Sequence, residues 1–144
     1  MPADKLTREV QTLSAAGAKV ALAAAERAAA ERNLKVSIAI VDNAGNLVAF
    51  QRSDGACVTS IEAAMRKART AAHLGAPTKA FEDLLHKGMT SLLAFEFISP
   101  SQGGVPFTLD GVVIGGIGSS GGSGDDDEMV ASAGATAFVA AASR

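Results

Sequence analysis

The sequence contains no tryptophan and no tyrosine, and only one cysteine and two histidines. Each scarcity excludes something. The lone Cys57 cannot form an internal disulfide, which suits a reducing cytoplasm. His73, His86 and Cys57 show no H-E-x-x-H or C-x-x-C spacing, so no structural metal site is expected. The six phenylalanines are the only aromatic walls a wide apolar ligand would find. No apolar run reaches membrane-spanning length. Basic residues are scattered along the chain and the net charge is -2, so neither a nucleic-acid groove nor an anionic membrane surface is expected as a partner. The start, MPADKLTREV, places charges where a secretory leader needs an apolar core.

What is present is alanine, glycine and clear periodicity. At 144 residues the chain reads as one domain, 1–144, able to bury a real core. Leu6, Val10, Leu13, Gly17, Val20 and Ala24 recur at steps of three and four, which predicts a long first helix running to about Arg32. VSIAIVD and LVAFQR flank an Asx/Gly turn and predict a hairpin. SIEAAMRKARTAAHL predicts a helix stopped by Gly75 and Pro77, and TKAFEDLLHKG a shorter one with Thr78 as its N-cap. GVPFTL and VVIGGIG enclose Asp110-Gly111, a strong two-residue hairpin signal. DDDEMVASAGATAFVAAASR is a closing helix. This order predicts an α+β domain: an antiparallel sheet with helices packed on it.

Gly116, Gly118 and Gly121 fall at G-x-G-x-x-G spacing, the fingerprint of dinucleotide binding. The element order rejects that function, because only a helix remains after the glycines and no parallel strand can follow. Asp125, Asp126, Asp127 and Glu128 also sit where a pyrophosphate needs positive potential. Those acids instead suit the positive end of a helix capped by Ser123 or Gly124, with Asp126 able to complete a capping box from Ser123. Glycine weakens a strand, so Gly115, Gly116 and Gly118 imply close approach by a ligand or another subunit at this strand's end. Ser119, Ser120 and Gly121 would then offer backbone N–H groups as an anion cradle, with Arg52 and Lys67 supplying charge.

VSIAIVDNAGNLVAFQRSDGA, EAAMRKARTAA, APT and GGVPFTLDGVVIGGIGSSGGSGDDDEMV together resemble the GlcG/HbpS family, also called the haem-degrading domain family. The resemblance spans nearly the whole chain after the first helix. It implies a profilin-like three-layer α/β/α fold with a five-stranded antiparallel sheet, and assembly into homo-oligomers from dimers to octamers. It implies haem as one cofactor and small organic acids as other ligands. Ser119 departs from the valine common among relatives and makes the strand end more polar.

Arg52 and Asp54 are placed to fork and orient a carboxylate, or else form an ordinary ion pair. Lys67 and Thr70 share a helix face at i, i+3 and align with the family's K-A-x-T-A. His73 is the candidate haem ligand or proton-transfer base, while His86 suits a helix C-terminus. Cys57 is read as a small buried filler. Ligand-binding candidates are therefore Arg52, Asp54, Lys67, Thr70, Gly118, Ser119, Ser120 and Gly121, and catalytic candidates are Arg52, Asp54, Lys67 and His73. Three functions remain open: a binding protein for haem or a small organic acid; an isomerase, lyase or hydrolase of a small carboxylic acid; or an accessory structural oligomer.

Overall fold

A computed structural model describes residues 4–144. Helix α1 spans Ala15–Glu31, strands β1 and β2 span Ser37–Asp42 and Leu47–Arg52, and helices α2 and α3 span Thr59–Leu74 and Lys79–His86. After a 3-10 turn at Thr90–Ala94 come β3 (Gly104–Leu109), β4 (Val112–Ser120) and the closing helix α4 (Gly124–Ala142). The strands form one antiparallel sheet in the order β2-β1-β4-β3. The sheet has four strands, not the five that the family resemblance implies. The chain's own β-rich runs number four as well, and residues 87–103 carry the 3-10 turn instead of a strand.

Helix α1 begins later than its periodicity predicts. Ser14 caps it, accepting from Gly17 N at 3.1 Å. Upstream, Leu13 N donates to Ile114 O at 3.0 Å and Thr12 Oγ1 accepts from Asn43 N at 3.1 Å, which holds the chain extended against β4 and the β1–β2 turn. Leu6, counted in the helical stripe, is 98% exposed. The Asp110-Gly111 turn has φ of 50° and 78°, as a two-residue hairpin requires.

Two cores lie on the two faces of the sheet. On one, α1 and α4 bury Ala18, Ala21, Ala25 and Val130 against Ile38, Ile40, Phe107 and Ile117. On the other, α2 packs Ala64, Ala68 and Ala72 against Ala39 and Val41. This second core is made of small residues, so the helix lies close to the sheet. The β4 glycines make that possible. Gly116 and Gly118 stand opposite Val41 and Ala39, on the α2 side. A Cβ on Gly118 would collide with the Ala64 carbonyl oxygen, and one on Gly116 with that of Ala68. The close approach that the glycines signal is therefore made by the chain's own helix.

Candidate functional site

The loop after β4 holds an anion, and that anion belongs to the chain. Lys67, carried by α2, and Asp127, in the first turn of α4, form an ion pair at 3.2 Å with side chains 5% and 3% exposed. Lys67 Nζ also donates to Ser119 O at 3.0 Å and Ser120 Oγ at 3.4 Å. Asp127 Oδ1 accepts from Gly122 N at 2.9 Å. Burial pushes the Asp127 carboxyl above its ordinary value, and Lys67 with the Gly122 N–H only partly opposes this. Gly103, at φ 132°, closes the arrangement: a Cβ there would lie 2.9 Å from Lys67 Nζ and 2.6 Å from Ser119 O. Ser119 N is taken by Gly103 O at 2.9 Å. The expected cradle is thus a filled latch joining helices from opposite faces of the sheet. The Ser119 hydroxyl, 0% exposed, has no hydrogen-bond partner in it. Ser123 caps α4 as predicted, accepting from Asp126 N, but the Asp126 carboxylate pairs with Arg32 at 2.9 Å instead of completing a capping box.

The other predicted site residues are dispersed. Arg52 and Asp54 are both exposed, and no ion pair joins them among the described residues. Asp54 borders a cleft of about 360 Å³ between the end of α1 and β2, with Glu26, Asn33, Lys35 and Gln51. Thr70 is buried and structural. Its Oγ1 lies 2.8 Å from Arg66 O and 3.1 Å from Phe97 O, which share its one proton, and accepts from Ser99 N at 2.9 Å. Thr78 stands at the N-cap position of α3, but its side chain makes no capping hydrogen bond; its Oγ1 accepts from Gly104 N at 2.8 Å at the start of β3. Cys57 is exposed, not buried.

His73 leads to a second arrangement that sequence reading missed. Glu62, Arg66, Arg69 and His73 stand at i, i+4, i+7 and i+11 on α2, one stripe about 16 Å long. The 95–97 segment, held by Thr70, lies alongside, and between them is a groove of about 350 Å³ lined by these four residues with Glu96 and Phe97. Arg69 pairs with Glu62 at 3.4 Å. Arg66 donates to the backbone oxygen of Glu96 at 2.5 Å and has no carboxylate partner among the described ion pairs. His73 Nε2 is 3.0 Å from Ala44 O in the β1–β2 turn. The groove thus brings together two guanidiniums, two carboxylates, one imidazole and one aromatic wall, and its guanidiniums are donors of the kind that hold a small carboxylate. Among the described residues no cluster of three or more histidine, cysteine, aspartate or glutamate side chains is arranged to hold a metal ion, and no helix is long and apolar enough to cross a membrane.

Comparison with known proteins fits this architecture. Protein GlcG of Escherichia coli K12 is 37% identical over 108 residues, covering 75% of this chain and 81% of GlcG. The crystal structure of a double mutant of Streptomyces reticuli HbpS superposes with a TM-score of 0.85 at 36% identity, covering 94% of both chains. The crystal structure of a PduOC:haem complex superposes with a TM-score of 0.80 at 28% identity, covering 88% of this chain and 94% of that one. Residues 13–136 match the family described as haem degrading protein HbpS-like, and the chain belongs to this GlcG/HbpS family.

Proposed function

We propose that the protein binds a small organic acid in the α2 groove, with Arg66 and Arg69 clamping its carboxylate. The observation that carries this reading is the pair of guanidiniums on one helix face beside a groove of about 350 Å³, within the volume range of small-molecule sites. Arginine suits the task because its planar donor fork matches a carboxylate in a bidentate way. Haem belongs to the same chemistry through its propionates, and the related PduOC structure is a haem complex. The groove of a single chain does not fit a whole porphyrin: it has one aromatic wall, Phe97, and four charged side chains.

A homo-oligomer is part of the same proposal. Leu93, Phe95 and Met89, close in sequence between α3 and β3, are 66%, 48% and 45% exposed, and a group of exposed large apolar side chains supports a contact surface. A single free thiol fits residence in a reducing cytoplasm.

Calorimetric titration of succinate, propionate and haemin tests the proposal. Saturable binding of the acids should weaken at least tenfold in Arg66→Ala, as loss of a charge-assisted hydrogen bond of about 1.5–3 kcal/mol requires. Acid binding that is absent, or indifferent to Arg66→Ala, would remove the groove from consideration.

A further inference from the structure

We infer that the α2 groove is one half of a chamber, which a second copy of this chain completes by docking on residues 89–97; this rests on the groove proposed above. Every residue from 89 to 97 is exposed except Leu92, which is buried and pins the segment to its own chain. Leu92 N donates to Met89 O at 3.3 Å, Phe95 N to Leu92 O at 3.4 Å and Ile98 N to Phe95 O at 3.2 Å. Successive turns of this kind advance about 2 Å per residue, so the segment forms a patch about 16 Å long. Met89, Leu93, Phe95 and Phe97 are its large exposed apolar side chains. Every residue of α3, the helix before it, is also at least partly exposed.

Patch and groove share a wall. Phe97 lines the groove, and Phe95 packs against it edge to face with ring centroids 5.7 Å apart. Phe97 is 53% exposed even so. The Thr70 hydroxyl lies 3.1 Å from Phe97 O, and Arg66 donates to the backbone oxygen of Glu96, so the two rings are fixed at the groove's edge. A body seated on both rings therefore stands over the groove and screens Arg66 from water.

The patch has the size and the charge to receive a copy of itself. A fully covered aromatic side chain buries about 150–250 Å², and Met89, Leu93, Phe95 and Phe97 are each about half exposed. Together they offer on the order of 400 Å², half of the roughly 800 Å² that each partner gives to a stable interface. The remainder comes from a polar rim, as such interfaces have. That rim is the groove, whose Glu62, Glu96, Arg66 and Arg69 balance in sign. A rim of one sign would repel its own copy and select an unlike partner. Balanced charges instead suit the contact of a two-fold dimer, in which the same patch faces itself. The second copy's Phe95 and Phe97 then supply the opposite wall.

Sedimentation velocity of the full chain tests the contact, and calorimetry with succinate tests the chamber. Wild type should be at least a dimer at micromolar concentration. Leu93→Asp and Phe95→Asp should be folded monomers by circular dichroism, because both side chains face solvent in the single chain. Leu93 is not among the residues lining the groove. Its replacement should still weaken succinate about tenfold, since a guanidinium–carboxylate contact opened to water loses most of its strength. Val20→Asp, on α1 at the opposite face of the sheet, should keep both the dimer and the binding. Succinate should also drive half-dissociated wild type towards the dimer, a reading that needs no variant. A wild type that stays monomeric in saturating succinate, a dimeric Leu93→Asp, or a monomeric variant that binds succinate as tightly as wild type would overturn the chamber and leave the groove standing. Arg66→Ala should keep the dimer and lose the acid. Succinate that fails to bind, or that ignores Arg66→Ala, would overturn the groove and the chamber with it.

Discussion

Replacing Gly118 with alanine separates two explanations of the β4 glycines. If a ligand approached this strand end, the added methyl would block binding and cost the fold about 1 kcal/mol, the usual glycine–alanine exchange. The packing gives a different answer. The new Cβ would collide with Ala64 O, and would lie 2.6 Å from Ala68 N and 3.0 Å from Lys67 Cβ. Two of these atoms are helix backbone and cannot rotate aside, so α2 as a whole must lift from the sheet. Ala64 and Ala68, both 0% exposed, would lift with it. Overpacking of a close-packed core costs about 1–3 kcal/mol, and immovable neighbours place this case near 3 kcal/mol or above. At about 3 °C per kcal/mol for a chain of this size, the melting temperature should fall by about 9 °C. Gly88→Ala is the control. Its Cβ would meet nothing within 4 Å, so only the strain of φ 102° remains, about 1–2 kcal/mol. Differential scanning calorimetry on both variants decides the matter. A loss in Gly118→Ala no greater than in Gly88→Ala would refute the close-packing explanation.

Three further perturbations probe other parts of the chain. Ser119→Ala removes a fully buried hydroxyl without a partner and should raise stability by about 1 kcal/mol; a lower melting temperature would show that the hydroxyl is satisfied. Burial raises the Asp127 carboxyl above 3.8. A raised folded value means that this group's stabilisation is complete below the unfolded value and is lost as pH rises through the folded one. The stability of wild type minus that of Asp127→Asn should therefore shrink as pH rises above the unfolded value of about 4, and a difference that grew with pH would contradict the burial. The Thr59 hydroxyl and the Ser60 backbone N–H hold the exposed Cys57 thiol below its ordinary value. Thr59→Val should move the pH midpoint of iodoacetamide alkylation upward, and an unmoved midpoint would show that Thr59 does not act on the thiol.

Local signals located the elements, and contacts distant in sequence decided what those elements do. The hairpins at Asn43–Asn46 and Asp110-Gly111 and the stop at Gly75 were legible because turn chemistry is set by the residues in the turn. The first helix was overextended because Leu6 and Val10 keep its period, while Thr12 and Leu13 are claimed by Asn43 and Ile114, far along the chain. Lys67 shows the same limit in a binding residue. Its type and family position suggested an exposed cation for a ligand, yet its partner, Asp127, lies 60 residues away on another helix. The groove was half legible. Glu62, Arg66, Arg69 and His73 share one helix face by spacing alone, and the polar stripe stands in the sequence opposite the alanine one. That stripe became a site through two features that no periodicity reports. Thr70, an inward-facing residue of the same helix, pulls the 95–97 segment alongside it. The carbonyl of Ala44, from a turn 29 residues upstream, then accepts a hydrogen bond from His73 Nε2 and holds the ring at the groove wall. A solvated charged helix face and a binding groove have the same sequence until such neighbours are placed beside them.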